Sequence, residues 1–120
     1  MNKDHIVKST RDFTNIINNG RYVKNKCLVL YFMPNKEDKY RVGVTASKKL
    51  GNAVVRNKIK RQLRNIVHKY KKSYQNGWDY IIIVRNSYID CSFKEIECYF
   101  CELVNKINNT FLRENTDEKK

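Results

Sequence analysis

Asp79-Tyr80-Ile81-Ile82-Ile83-Val84-Arg85 is the stretch on which the fold turns. Four β-branched residues in a row follow an aromatic, with a charge at each end. That pattern matches a strand buried on both faces, at the centre of a sheet. Upstream, Asn76-Gly77 separates it from a segment of different period. From Ala53 to about Lys72, Ile59, Leu63, Ile66, Val67 and Tyr70 fall at helical spacing and form one apolar stripe. Asn52, after Gly51, is the predicted N-cap. Further upstream, Cys27–Met33 is an apolar run of strand length, and Tyr40–Ser47 reads as a second strand. The turn chemistry of 34–38 between them predicts an antiparallel hairpin. A brief strand at Arg21–Val23 precedes them. Ser9 and Asp12 have the spacing of a helix-opening box, and Phe13, Ile16 and Ile17 continue it as a helix over 10–19. Gly20 is expected to end that helix in a left-handed conformation. Residues 1–8 read as an extended arm.

Downstream, Ser92 and Glu95 repeat the helix-opening box. Ile96, Tyr99, Phe100, Leu103, Val104, Ile107 and Phe111 then follow at helical spacing. The predicted order is α-β-β-β-α-β-α. It makes an α+β, two-layer sandwich on a mainly antiparallel sheet of about four strands. The 120 residues suit one domain, placed at 1–112, with a charged flexible tail at 113–120.

Charge is distributed unevenly over this frame. The net charge is +13, yet residues 1–78 hold 19 basic and 4 acidic side chains, while residues 79–120 hold 6 and 8. Such asymmetry marks a polyanion binder. It peaks in 48–72, where Lys48, Lys49, Arg56, Lys58, Lys60, Arg61, Arg64, Lys69, Lys71 and Lys72 stand with no acid among them. A surface helix usually offsets like charges with carboxylates four residues away, and here none exists. On the helix, Asn57, Lys60, Arg61 and Arg64 form a contiguous band beside the apolar stripe, with Arg56 at its edge. A helix of ~18 residues is ~27 Å long, enough to cross several phosphates. Arginine can grip phosphate with two hydrogen bonds and stack on bases. Asn57 can read a base edge. Lys48 and Lys49 extend the patch to the helix start, where free N–H groups also favour phosphate.

Other chemistry finds little support. No run approaches the ~18 apolar residues of a membrane span, and Met1–Asp12 lacks the apolar core of a secretory signal. Cytoplasmic location and reduced thiols at Cys27, Cys91, Cys98 and Cys101 are expected. Cys98-x-x-Cys101 has no second pair or nearby His to complete a metal site, so no protein-bound metal or cofactor is expected. His5 and His68 are the two histidines. No protein-borne catalytic set is evident. Charge alone leaves open a binder of structured RNA, such as a ribosomal protein or RNA chaperone, and a duplex-DNA binder; a polybasic membrane binder fits less well, because the helix lacks an aromatic-rich apolar face.

Residues 47–64, Ser-Lys-Lys-Leu-Gly-Asn-Ala-Val-Val-Arg-Asn-Lys-Ile-Lys-Arg-Gln-Leu-Arg, resemble the signature of the bacterial ribonuclease P protein component. Arg56-Asn57-Lys58 is similar to the family's Arg-Asn-Arg motif, with Lys58 keeping the charge of the last Arg but not its fork. Asp12-Phe13, Gly20, Leu30-Tyr31, Arg41-Val42-Gly43 and Asp79-Tyr80-Ile81 also fall where the family has similar residues. The resemblance implies a fold shared with a ribosomal-protein domain, with a left-handed β-α-β crossover around the basic helix. It also implies a role. The family binds a large catalytic RNA that carries the chemistry and most of the Mg2+. Together they remove the 5′ leader of precursor tRNA, and no further protein partner is required. Carried onto this chain, Lys48, Lys49, Asn52, Arg56, Asn57, Lys58, Lys60, Arg61 and Arg64 would bind the catalytic RNA. A cleft between the first helix and the sheet would hold the leader. Phe13 and Tyr31 match its aromatic positions, and Ile17 stands where many members have another aromatic. By periodicity alone, Phe13 and Tyr31 would read as core.

Overall fold

The strand decided by its isoleucines takes the inner position. In the computed structural model, which describes residues 5–7 and 9–118 without the side chains of 48, 89, 90 and 115–118, β4 (Trp78–Val84) lies between two neighbours. The remaining elements are α1 (Thr10–Asn19), β1 (Arg21–Lys24), β2 (Leu28–Pro34), β3 (Arg41–Ala46), α2 (Ala53–Lys69) and α3 (Phe93–Glu118). The order is α-β-β-β-α-β-α and the class α+β.

The sheet runs β1-β2-β4-β3, so the expected β2–β3 hairpin does not exist. β2 pairs antiparallel with β1 and with β4, and β3 pairs parallel with β4. Burial of Tyr80, Ile81 and Ile82 on both faces explains the insertion. A strand apolar all round is stable only with ladders on either side. The connection between β2 and β3 is short in sequence, but six residues reach ~20 Å and two strand spacings need only ~10 Å. It steps over the start of β4, where Asn35 N–H donates to the Gly77 carbonyl (2.8 Å) and Gly77 N–H to that of Lys39 (3.1 Å). Helix α2 is the crossover that a parallel β3–β4 pair requires.

Helix signals are met closely. Ser9 Oγ accepts from the Asp12 N–H (3.0 Å), and Ser92 and Glu95 exchange two side-chain caps (3.1 and 3.2 Å). Gly20 ends α1 differently from expectation. Its φ and ψ are −82° and 164°, extended rather than left-handed. Glycine is needed there for space, because a Cβ would lie 2.5 Å from the Ile16 carbonyl oxygen and 3.0 Å from that of Phe32. Helix α2 ends at Lys69, three residues earlier than expected, and a short 3-10 turn covers Lys71–Ser73. The backbone of α3 stays helical past residue 112, to Glu118.

Helices α2 and α3 bury one face of the sheet. Ile59, Leu63, Ile66 and Val67 meet Phe100, Leu103, Ile107 and the inward residues Leu28, Leu30, Phe32, Tyr80, Ile82 and Val84. The opposite face carries a smaller cluster of Val7, Ile16 and Ile81 under α1. Part of the predicted arm joins it. Ile6 bridges Val42, Val7 N–H donates to the Val42 carbonyl (3.1 Å), and the His5 ring stacks on Tyr40. Residues 1–4 and 8 of that arm lie outside the described residues. Asp79 is a buried acid of β4, gripped by the Arg41 fork at 2.9 and 2.7 Å and by Asn35 at 2.7 Å. That grip locks β3 against β4. Among the described residues no helix is long and apolar enough to cross a membrane.

Candidate nucleic-acid interface

Helix α2 starts where Asn52 Oδ1 accepts from the Val55 N–H (3.1 Å), and its first turn has no acid. Burying Ile59, Leu63, Ile66 and Val67 fixes the helix roll and turns the basic residues outward. Asn57, Lys58, Arg61 and Arg64 are exposed, and Arg56 and Lys60 are half-buried at the margin. Arg56 Nε is buried and, among the described residues, has no hydrogen-bond partner. An unmet buried donor costs about 1–3 kcal/mol, so this arginine is held at the protein's expense. Lys49 is exposed, while the side chain of Lys48 lies outside the described residues.

Among the described residues, the chain's own carboxylates leave this band alone. Among the described ion pairs, Glu97 binds Lys69 at the far end of α2 (2.9 Å), Glu114 binds Arg21, and Glu102 binds Lys106. Asp12 and Asp79 are both engaged by Arg41. Arg56, Lys58, Lys60, Arg61 and Arg64 have no ion pair among them.

Beside the band lies a cavity of about 760 Å³ between α1, β3 and α2. Its floor is apolar, with Phe13 and Ile17 from α1 and Val42, Gly43 and Val44 from β3. Phe13 lies directly on β3 because residue 43 has no side chain. A Cβ there would sit 2.6 Å from Phe13 Cζ. The facing wall is Lys60, Arg64, Asn65 and His68 of α2, and among the described residues the lining contains no acid. An apolar, aromatic floor beside a cationic wall suits a single-stranded nucleic acid, with bases on the one and phosphates on the other.

The structure separates the three residues expected in the cleft. Phe13 and Ile17 line the cavity, but Tyr31 does not. It lies on the same sheet face one strand beyond Ile81, half-buried against the cluster under α1. Thr45, Asn65 and His68 line the cavity without being expected there, and Lys60 and Arg64, expected only in the outer band, line it too. The spacing of Lys60, Arg64 and His68, four residues apart twice over, is the available signal that one edge of α2 would form a wall. Among the described residues no group of His, Cys, Asp or Glu gathers as metal ligands. All four cysteines are free, and burial beside Cys91 raises the Cys27 thiol to about 12, so it stays protonated at neutral pH.

The family model described as Ribonuclease P matches residues 1–108. The ribonuclease P protein component of Streptococcus agalactiae is 38% identical over 97 residues, covering 81% of this chain and 88% of that protein. That of Streptococcus pneumoniae is 34% identical over 119 residues, covering 99% and 96%. Among solved structures, the Staphylococcus aureus RNase P protein superposes with a TM-score of 0.79 at 35% identity, over 86% of this chain and 94% of that one. The Thermotoga maritima RNase P protein gives 0.75 at 28%, over 83% and 94%. The match extends over nearly the whole length, in sequence and in fold: this chain belongs to the ribonuclease P protein component family.

Proposed function

We propose that this chain is the protein subunit of a ribonuclease P ribonucleoprotein and acts in the cytoplasm on precursor tRNA. One observation carries the reading: a basic band with no ion pair among the described residues lies along α2, and two of its members, Lys60 and Arg64, wall a cavity whose floor is apolar and aromatic. The outer side of α2, with Arg56, Asn57, Lys58 and Arg61, binds the catalytic RNA, as do Lys48, Lys49 and the helix start at Asn52. The cavity holds the 5′ leader, with Phe13 stacking on a base, Ile17 in apolar contact, and Lys60 and Arg64 against its phosphates. Tyr31 contacts the leader from outside the cavity. Hydrolysis is carried out by the RNA. Mg2+ is held mainly by phosphates of the RNA subunit. The protein's cations offset phosphate repulsion where RNA and leader converge, which lowers the Mg2+ needed for assembly.

Reconstitution with a bacterial ribonuclease P RNA at low Mg2+ tests this. Cleavage of precursor tRNA at its 5′ end should rise well above that of the RNA alone. No gain would contradict the reading. Binding to ribosomal RNA with equal strength and no preference for a leader would favour the non-enzymic RNA binder.

A further inference from the structure

The floor of the cavity continues beyond it. In register across the sheet, Gly43, Ile81, Tyr31 and Tyr22 form one row from β3 to β1 on the face that carries α1. Phe13 covers the first of these positions. At the far end, Tyr22 is 54% exposed although it is a large aromatic on a strand. Its ring lies against that of Tyr31, with centroids 5.4 Å apart and planes tilted by 41°. Tyr31 is half-buried against Ile81 and Ile16, so the outer ring rests on a fixed one. The next row is Thr45, Ile83, Val29 and Lys24. Thr45 lines the cavity, Ile83 and Val29 are half-exposed, and Lys24 is exposed beside Tyr22 on the same face. The four strands contain one acid, Asp79, and Arg41 holds it. Ile81 is buried under α1, so the strip of surface that runs from the cationic wall of α2 to the lysine at the sheet edge is Thr45, Ile83 and Val29, bordered by Tyr31 and Tyr22, with no free carboxylate among its strands.

We infer that Tyr22 is a second stacking platform for the leader, taking a base farther from α2 than the one at Phe13. This rests on the leader reading above. The occupant is a single-stranded polynucleotide because the strip combines π-faces with cations at both ends and offers no acid to a basic partner. Tyr22 also adds an aromatic to a site in which Ile17 supplies none. From β3 to β1 is three strand spacings, ~14 Å, or at most about four nucleotides at the ~3.4 Å rise of a stacked strand. Tyr22 therefore selects for leader length rather than for the cleavage site.

The test is precursor tRNA binding to holoenzyme reconstituted with a bacterial ribonuclease P RNA, using leaders of about ten and about two nucleotides, one past and one short of that ~14 Å span. Tyr22→Ala should weaken binding of the long-leader substrate roughly fivefold or more, the low end of stacking on one base. It should leave the short-leader substrate, the salt dependence and the melting temperature unchanged, and Tyr22→Phe should bind as the parent does. Equal affinities of Tyr22→Ala and parent for the long leader would overturn the inference, as would equal losses on both leaders. Phe13→Ala separates the two readings. If it weakens leader binding and Tyr22→Ala does not, only the Tyr22 inference fails; if neither does, the leader reading fails with it.

Discussion

The two faces of the sheet are built to opposite specifications. On one, Phe100, Leu103 and Ile107 of α3 close over Leu28, Leu30, Tyr80 and Ile82, and the tyrosine hydroxyls that enter this core are hydrogen-bonded, Tyr74 to the Val67 carbonyl and Tyr80 to the Gln75 N–H. The charges at its rim are paired within the chain, Arg21 with Glu114 and Lys69 with Glu97. On the other, a ten-residue helix covers part of the strands, Phe13, Ile17 and Tyr31 stay half-exposed, and among the described residues the arginines of α2 pair with no carboxylate. Free energy of folding is concentrated on the first face, which leaves the second free to keep apolar surface and uncompensated charge for a partner. The net charge of −2 over residues 79–120 belongs with the closed face, because the acids of α3 serve the fold.

That contrast can be broken by substitution. Leu103 is fully buried, and Leu103→Ala should cost about 3 kcal/mol of stability by chemical denaturation, from reduced burial plus the cavity left behind. A loss below about 1 kcal/mol would mean that the closed face is not where stability resides. Phe13→Ala should show the reverse balance, with a smaller stability loss and about 1–3 kcal/mol less leader affinity in binding titrations. If its stability falls as far as that of Leu103→Ala while leader affinity holds, Phe13 is core. Glu97→Ala removes the carboxylate that Lys69 uses at the rim. Because Lys69 is largely exposed, the change should be within about 0.5 kcal/mol by thermal melting.

Much of this division is legible in the sequence, and the part that is not has a common cause. Caps and stripes are local, so Ser9, Asn52 and the Ser92–Glu95 box mark the helix starts and the spacing of Ile59, Leu63, Ile66 and Val67 marks the buried side of α2. Strand order is not local. Periodicity says that β4 is buried on both faces, but not which strands flank it. A β2–β3 hairpin would set Tyr31 beside β3 and so into the cleft with Phe13. With β4 inserted, Ile81 separates them, and one different neighbour changes both the sheet order and the place of a site residue. For Asn65 and His68 the sequence offers at most the four-residue spacing of Lys60, Arg64 and His68, and the cause is related. Their edge of α2 becomes a wall only once α1 lies across β3, an approach made possible by the absent side chain of Gly43.

The central claim is that phosphates supply the counter-charge that α2 lacks. It is tested most directly by the salt dependence of affinity for the ribonuclease P RNA, with parent protein and with Arg61→Ala, Arg64→Ala together. The variant should fold normally, bind more weakly, and show a shallower slope of log affinity against log salt. The slope should change by about 0.9 for each duplex phosphate that the two arginines no longer neutralise, or about 0.7 for single strands. An unchanged slope in a folded variant would contradict the account.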